Sequence, residues 1–150
     1  MSWSAIGTTL TIASWYVDSS VMLRMVKEGS VAVRRWFDEA VAAGDVLIAS
    51  RLMPLEIRRT LHNHRLSLSN ANISIGRFLL LSVDDALLDE AEQLAPVLRG
   101  ADAIHLASAL RVGGPITVVT HDAQMAAAAR QLGLAVLDPV TDDPTRPPVA

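Results

Sequence analysis

No cysteine occurs anywhere in the 150 residues. Disulfides, thiolate nucleophiles and cysteine zinc sites are therefore excluded, and a chain without thiols is indifferent to its redox compartment. Lysine is nearly absent too. Lys27 is the only one, and the remaining basic residues are Arg. Arg suits phosphate through its planar fork, but genomic base composition accounts for such a bias at least as readily. The net charge of −3 lacks the basic excess of proteins that grip long nucleic acid by its backbone, so any such patch must be local. No apolar run reaches the roughly 20 residues that span a bilayer. Residues 1–11 lack the basic start of a secretory signal, which gives the expectation of a cytoplasmic protein without membrane contact. There is no Gly-rich phosphate loop and no serine in a nucleophile-elbow pattern.

What is present suits one folded domain. Hydrophobic residues make up 51% and charged residues 19%, a globular composition with enough chain for a sizeable core. The patterning alternates short apolar runs with helical periodicity. Strands are expected over 11–17, 46–49, 78–83, 116–120 and 134–137. Helices are expected from about 21, over 31–43 with a stop at Gly44, from Pro54 to about 66, from a Ser69 cap to Gly76, over 86–98 with a break at Pro96, over 102–112, and from Asp122 to near Gly133. From Asp138 onward Pro and Asp dominate, as in a frayed tail. No internal repeat or linker interrupts the pattern. The fold class is α/β: one domain, a mainly parallel central sheet flanked by helices. Ligands of such sheets bind beyond the carboxyl ends of the strands.

Four acids fall at that edge. Asp18 follows the first strand, Glu56 lies early in the helix after the second, Asp102 opens a helix, and Asp122 stands just past the strand at 116–120. Singly, each has a commoner role. Asp at a helix start caps backbone N–H groups, and Glu56 can pair with Arg59 one turn on. Together they are harder to explain. Two carboxylates about 4 Å apart repel by about 1 kcal/mol in water and several-fold more at a partly buried site. Four converging carboxylates call for a cation, and their oxygens suit Mg²⁺ or Mn²⁺. Such an ion polarises a phosphoryl oxygen and acidifies water. His62 and His64 diverge on one helix. His105, one turn after Asp102, is within reach of the acids, although a packed helix histidine is the commoner case. His121 is a weak candidate for substrate contact. Arg58, Arg59 and Arg99 are candidates for positioning a nucleic-acid backbone, or are solvated surface side chains.

At these residues the sequence resembles PIN-domain proteins, and among them the VapC toxins of bacterial toxin–antitoxin pairs. The matching runs are YVDSS at 16–20, PLEIRRTL at 54–61, ADAIHLASA at 101–109 and VTHD at 119–122, with Gly133, Leu134, Asp138 and Pro139 closing the pattern. The resemblance covers roughly residues 14–139. It implies a sequence-selective endoribonuclease using Mg²⁺ or Mn²⁺, a homodimer, and a VapB-like antitoxin that holds it inactive. The family's acids carry over to Asp18, Glu56, Asp102 and Asp122, and its supporting hydroxyls to Ser19 and Thr120. Residues 1–12 exceed the family's usual start and are set apart as an N-terminal extension, with a nuclease domain over 13–139 and a flexible tail over 140–150. Some relatives carry a further acid just after the last one. Ala123 and Gln124 stand there in this chain.

Two other classes compete. One is a catalytically degenerate module on the same fold that only binds protein or RNA. The other is a different hydrolytic α/β fold. A dehalogenase-type phosphatase needs a second Asp where Ser20 stands, and a phospho-receiver needs a Lys after its last strands, where the chain has none.

Overall fold

The computed structural model describes residues 2–5 and 8–141. Its elements run β1 (Ser2–Ala5), β2 (Thr8–Thr11), β3 (Ser14–Val17), α1 (Ser19–Val26), α2 (Val31–Ala42), β4 (Val46–Ser50), α3 (Leu52–Asn63), α4 (Ser69–Ile75), β5 (Leu79–Leu81), α5 (Asp85–Glu92), α6 (Gly100–Val112), β6 (Thr117–Val119), α7 (Ala123–Gln131) and β7 (Ala135–Leu137). Five strands form one sheet in the order β5-β4-β3-β6-β7, and every neighbouring pair in it is parallel. No helix among the described residues is long and apolar enough to cross a membrane.

The apolar runs are continuous because the sheet is covered on both faces, and successive side chains go to opposite sides. Val17, Leu47, Ala49, Val119 and Leu137 join the core beneath α1–α4. Their chain neighbours Tyr16, Ile48, Val118 and Val136 join a second core beneath α5–α7. Helices contribute matching stripes. Ile57 and Leu61 of α3 are fully buried in the first core, and Leu106 of α6 is fully buried in the second.

Chain order places a switch at the centre. From β3 the chain moves outward through β4 to β5, then returns so that β6 pairs on the other side of β3. Connections leaving the carboxyl ends of β3 and β6 therefore diverge to opposite faces, and the crevice between them is where such sheets bind ligands.

Several expected boundaries shift. The first strand is shorter than 11–17: it starts at Ser14, and Thr11 instead ends an antiparallel β1–β2 hairpin, a two-stranded sheet of its own. The helix expected over 86–98 ends at Glu92, four residues before Pro96, which disfavours helix in the residue preceding it. Ser69 does not cap α4. It is the first helical residue, and its N–H donates to the Ser67 hydroxyl at 3.2 Å. Gly44 and Gly133 end their helices with φ of +73° and +82°, conformations that cost a side chain-bearing residue about 1–2 kcal/mol. The expected tail lies outside the described residues beyond 141; within them, Val140 packs against the first core.

Truncation separates core from surface. Leu61→Ala removes a fully buried side chain and is expected to cost about 2–5 kcal/mol. Leu55→Ala, on the same helix but 64% exposed, is expected to change stability by under about 0.5 kcal/mol. Urea unfolding of the two variants checks the contrast.

Candidate active site

Asp18 sits where β3 ends. Its N–H donates to the Val119 carbonyl at 2.9 Å, which extends the β3–β6 pairing by one residue. It occupies the N-cap position of α1 but makes no side-chain capping bond. Its carboxylate is 3% exposed as a residue and is held by one oxygen only. Oδ2 accepts from Ser20 Oγ at 2.8 Å and from Thr120 Oγ1 at 3.0 Å. Thr120 is itself buried and also accepts the Asp122 N–H at 3.1 Å. One hydroxyl thus fixes the two strand ends to each other.

Glu56 lies in the second turn of α3, not its first, and does not pair with Arg59. Its Oε1 accepts from Ser19 Oγ at 2.7 Å and from His105 Nε2 at 2.6 Å. No bond to Oε2 is found among the described residues. Asp122 is the N-cap of α7, with Oδ1 accepting the Met125 N–H at 2.9 Å. The dull role expected of an isolated Asp is here real, and no hydrogen bond to Oδ2 is found among the described residues. Asp102 is the third residue of α6, with Arg99 as N-cap. It therefore caps nothing, and no hydrogen bond or ion pair holds it among the described residues. Among the described residues Glu56 and Asp122 are each held through one oxygen, Asp18 takes its hydrogen bonds on Oδ2 with His105 Nε2 3.9 Å from Oδ1, and Asp102 is unpinned.

His105 belongs with them. It is 1% exposed, and Nε2 lies 3.9 Å from Asp18 Oδ1 as well as against Glu56. The spacing Asp102–His105, one helical turn, was the signal in the sequence. A buried histidine and a site histidine are in this case one residue. Ser19 and Thr120, placed by resemblance alone, touch Glu56 and Asp18 as supporting hydroxyls.

The electrostatics follow. Burial first, then the charges of Asp18 and Asp122, push the Asp102 carboxyl above its ordinary value, with Glu56 adding to the rise and His105 opposing it. Burial also acts against the Glu56 carboxylate, but the His105 hydrogen bond and charge and the Ser19 hydroxyl outweigh it, so Glu56 titrates below its usual range. Burial opposes the His105 imidazolium. The Glu56 hydrogen bond, followed by the charges of Asp18, Glu56 and Asp102, outweighs this and raises it. The Glu56–His105 pair thus contributes stability that is lost as pH falls through the lowered Glu56 value and again as pH rises through the raised His105 value.

The donor set is all carboxylate oxygen, the hard chemistry of Mg²⁺ or Mn²⁺, and free oxygens remain on each acid. As the side chains stand, no group of three or more His, Asp or Glu among the described residues is arranged so that it could hold a metal ion; Mg²⁺ commonly keeps several waters and takes only one or two carboxylates directly. Beside Asp122 opens a groove of about 330 Å³ lined by Ser20, Arg24, Lys27, Thr60 and His121 among others. Arg24 and Lys27 were not singled out in the sequence. Arg58, which was, hydrogen-bonds Asn72 at 3.2 Å and lines, with Arg51, Arg59 and His62, a separate hollow of about 560 Å³.

Mutual repulsion makes a stability prediction. Since Asp102 has a raised value, its charge opposes folding above the unfolded-state pKa. Asp102→Asn is therefore expected to raise the melting temperature of the metal-free protein at pH 7. The gain is small, on the order of 1–2 °C, because solvent partly screens a carboxyl that is only partly buried. It should vanish toward pH 3, where Asp102 is protonated in both states. Calorimetry across that range reads both features.

Comparison with known proteins places this geometry. The PIN domain family pattern matches residues 15–131. Ribonuclease VapC46 of Mycobacterium tuberculosis is 36% identical over 133 residues, which cover 85% of this chain and 99% of that protein. Two solved structures share the fold at 20% identity. One is FitAB bound to an IR36 DNA fragment, with a TM-score of 0.61 over 86% of this chain and 97% of that one. The other is FitAcB from Neisseria gonorrhoeae, with a TM-score of 0.60 over 85% and 99%.

Proposed function

Because the chain belongs to the PIN-domain family, in its VapC branch, we propose that it is an Mg²⁺- or Mn²⁺-dependent endoribonuclease, the toxin of a type II toxin–antitoxin pair. The observation that carries the reading is the set of half-pinned carboxylates around an unpinned Asp102 whose charge its neighbours oppose. Asp18 is almost wholly buried, with two hydroxyl donors on Oδ2 and His105 Nε2 3.9 Å from Oδ1. A divalent cation would give this buried carboxylate a counter-charge in direct contact.

In this reading Asp18, Glu56 and Asp102 hold the ion through their free oxygens and water, and Asp122 completes the ring. A divalent cation bound there supplies a Lewis acid for the phosphoryl oxygen and acidifies a water as nucleophile. The chain's own part is positional. Thr120 and Ser20 hold Asp18, and Ser19 holds Glu56, so the ligands are ordered before substrate arrives. In this reading Lys27 and Arg24, the latter paired with Glu28 at 3.2 Å, are the cationic side chains of the groove beside Asp122 that meet the RNA backbone. The relative named a ribonuclease supports the reaction class. The VapC relationship supports an antitoxin partner of the VapB kind. The reading further takes the protein as a cytoplasmic homodimer, with residues 1–12 an extension to the nuclease domain 13–139.

Asp18→Ala and Asp102→Ala are expected to lower RNA cleavage by at least about 10³-fold while leaving a folded protein, as losses at such sites commonly do. Mapping RNA ends after pulsed expression of wild type and each variant reads activity, substrate and sequence preference together. Wild-type cleavage by either variant would contradict the assignment, and no cleavage by wild type would favour a module that only binds.

A further inference from the structure

The sheet's two cores meet at one buried side chain. His105 rises from α6 with the second core, whereas Glu56 stands on α3, whose Ile57 and Leu61 belong to the first. The imidazole bridges the two layers at the carboxyl end of β3. Its Nδ1 contacts the Tyr16 hydroxyl at 3.0 Å, and its Nε2 lies 2.6 Å from Glu56 Oε1 and 3.2 Å from Ser19 Oγ. Tyr16 and His105 are each 1% exposed, so neither exchanges these partners for water.

The directions of the bonds are set by chemistry. An ionised carboxylate only accepts, so Nε2 carries a proton and donates to Glu56. Ser19 gives its single hydroxyl proton to the same oxygen. Burial keeps the Tyr16 phenol protonated throughout the ordinary pH range, so Tyr16 can donate to Nδ1 of the neutral ring and select the Nε2–H tautomer, while the cationic ring carries Nε2–H in any case and gives its Nδ1–H to the Tyr16 oxygen. Both donors converge on Oε1, and Oε2 is left without a hydrogen bond among the described residues.

We propose that His105, oriented by Tyr16, is a positioning residue that locks Glu56 by Oε1 and presents Oε2 as its ligand atom. The proposal rests on the metal-dependent reading above. Glu56 has three rotatable side-chain bonds and stands among carboxylates that repel it. Without a donor in the layer opposite, it would leave for solvent, and the ligand set would have to be reassembled each time an ion binds. Outer partners that orient a ligand in this way typically change metal affinity by about 10–100-fold. A histidine kept only for packing would instead affect stability and leave affinity alone.

The test is Mn²⁺ titration by calorimetry of the full chain, with kcat and KM for RNA cleavage and metal-free melting temperatures measured alongside. His105→Leu is expected to weaken Mn²⁺ binding at least about tenfold and to lower kcat, with KM for RNA within about twofold. His105→Gln, whose amide N–H stands in for Nε2–H, is expected to recover most of both. Tyr16→Phe should show a smaller loss in the same direction. A folded His105→Leu with wild-type Mn²⁺ affinity overturns the proposal, as does a folded His105→Gln no better than His105→Leu. Should His105→Leu not fold, Tyr16→Phe decides: lowered affinity and kcat support the proposal, and wild-type values overturn it. A wild-type protein that binds no Mn²⁺ overturns the metal-dependent reading and the proposal with it, whereas wild-type binding matched by His105→Leu overturns the proposal alone.

Discussion

Tyr16 and Val17 pair in parallel with Val118 and Val119, and the Asp18 N–H carries that ladder one step beyond the strands. Everything at the site depends on this register. It sets Asp18 and Thr120 side by side at the sheet's carboxyl edge, so that one hydroxyl serves both Asp18 and the Asp122 backbone. A slip of one residue would exchange the two faces of β3. Tyr16 would then leave the second core and Val17 the first, and the carboxylate would point away from the crevice. The apolar alternation that buries both faces of the sheet is therefore the same constraint that aims the chemistry.

Around that edge the chain accepts local instability. Four carboxylates stand near one another, and the one basic side chain in contact with them among the described residues is His105. The compensation is uneven in an informative way. Hydroxyls, an imidazole and a helix N-terminus each take one oxygen of Asp18, Glu56 or Asp122 and stop there. Packing alone would favour satisfying both oxygens or replacing the acids. Charge clusters that oppose folding and remain in place are the usual mark of a functional site.

Much of this was legible from residue pattern. The β-branched run at 116–120 and the helical spacing of 102–112 correspond to β6 and α6 because period and burial agree there. The four acids were expected as a group from topology; Asp18 and Asp122 do follow strand ends, whereas Glu56 lies in the second turn of α3 and Asp102 is the third residue of α6. Other features depended on tertiary context. The β1–β2 hairpin lies in residues set apart as an extension, and only its last residue, Thr11, was read into the first strand. The position of Ser69 within α4 turned on a single hydrogen bond from Ser67. Asp122 does cap its helix, whereas Asp18 and Asp102 do not, and no local pattern distinguishes the three. His105 was visible only as one turn beyond Asp102. That its imidazole reaches α3 follows from how two layers meet, which sequence spacing along one helix does not encode.

The central claim is that these carboxylates converge to bind a divalent cation. Ligands that bind only the folded state stabilise it, by about 2.7 kcal/mol when present at a hundredfold excess over Kd. For a domain of this length that corresponds to a rise of about 5–10 °C in melting temperature. The direct measurement is the thermal unfolding midpoint of the wild-type protein as Mn²⁺ is raised at constant ionic strength. The account predicts a saturable rise that Asp18→Asn abolishes. A midpoint indifferent to Mn²⁺, or an equal rise in Asp18→Asn, would contradict it.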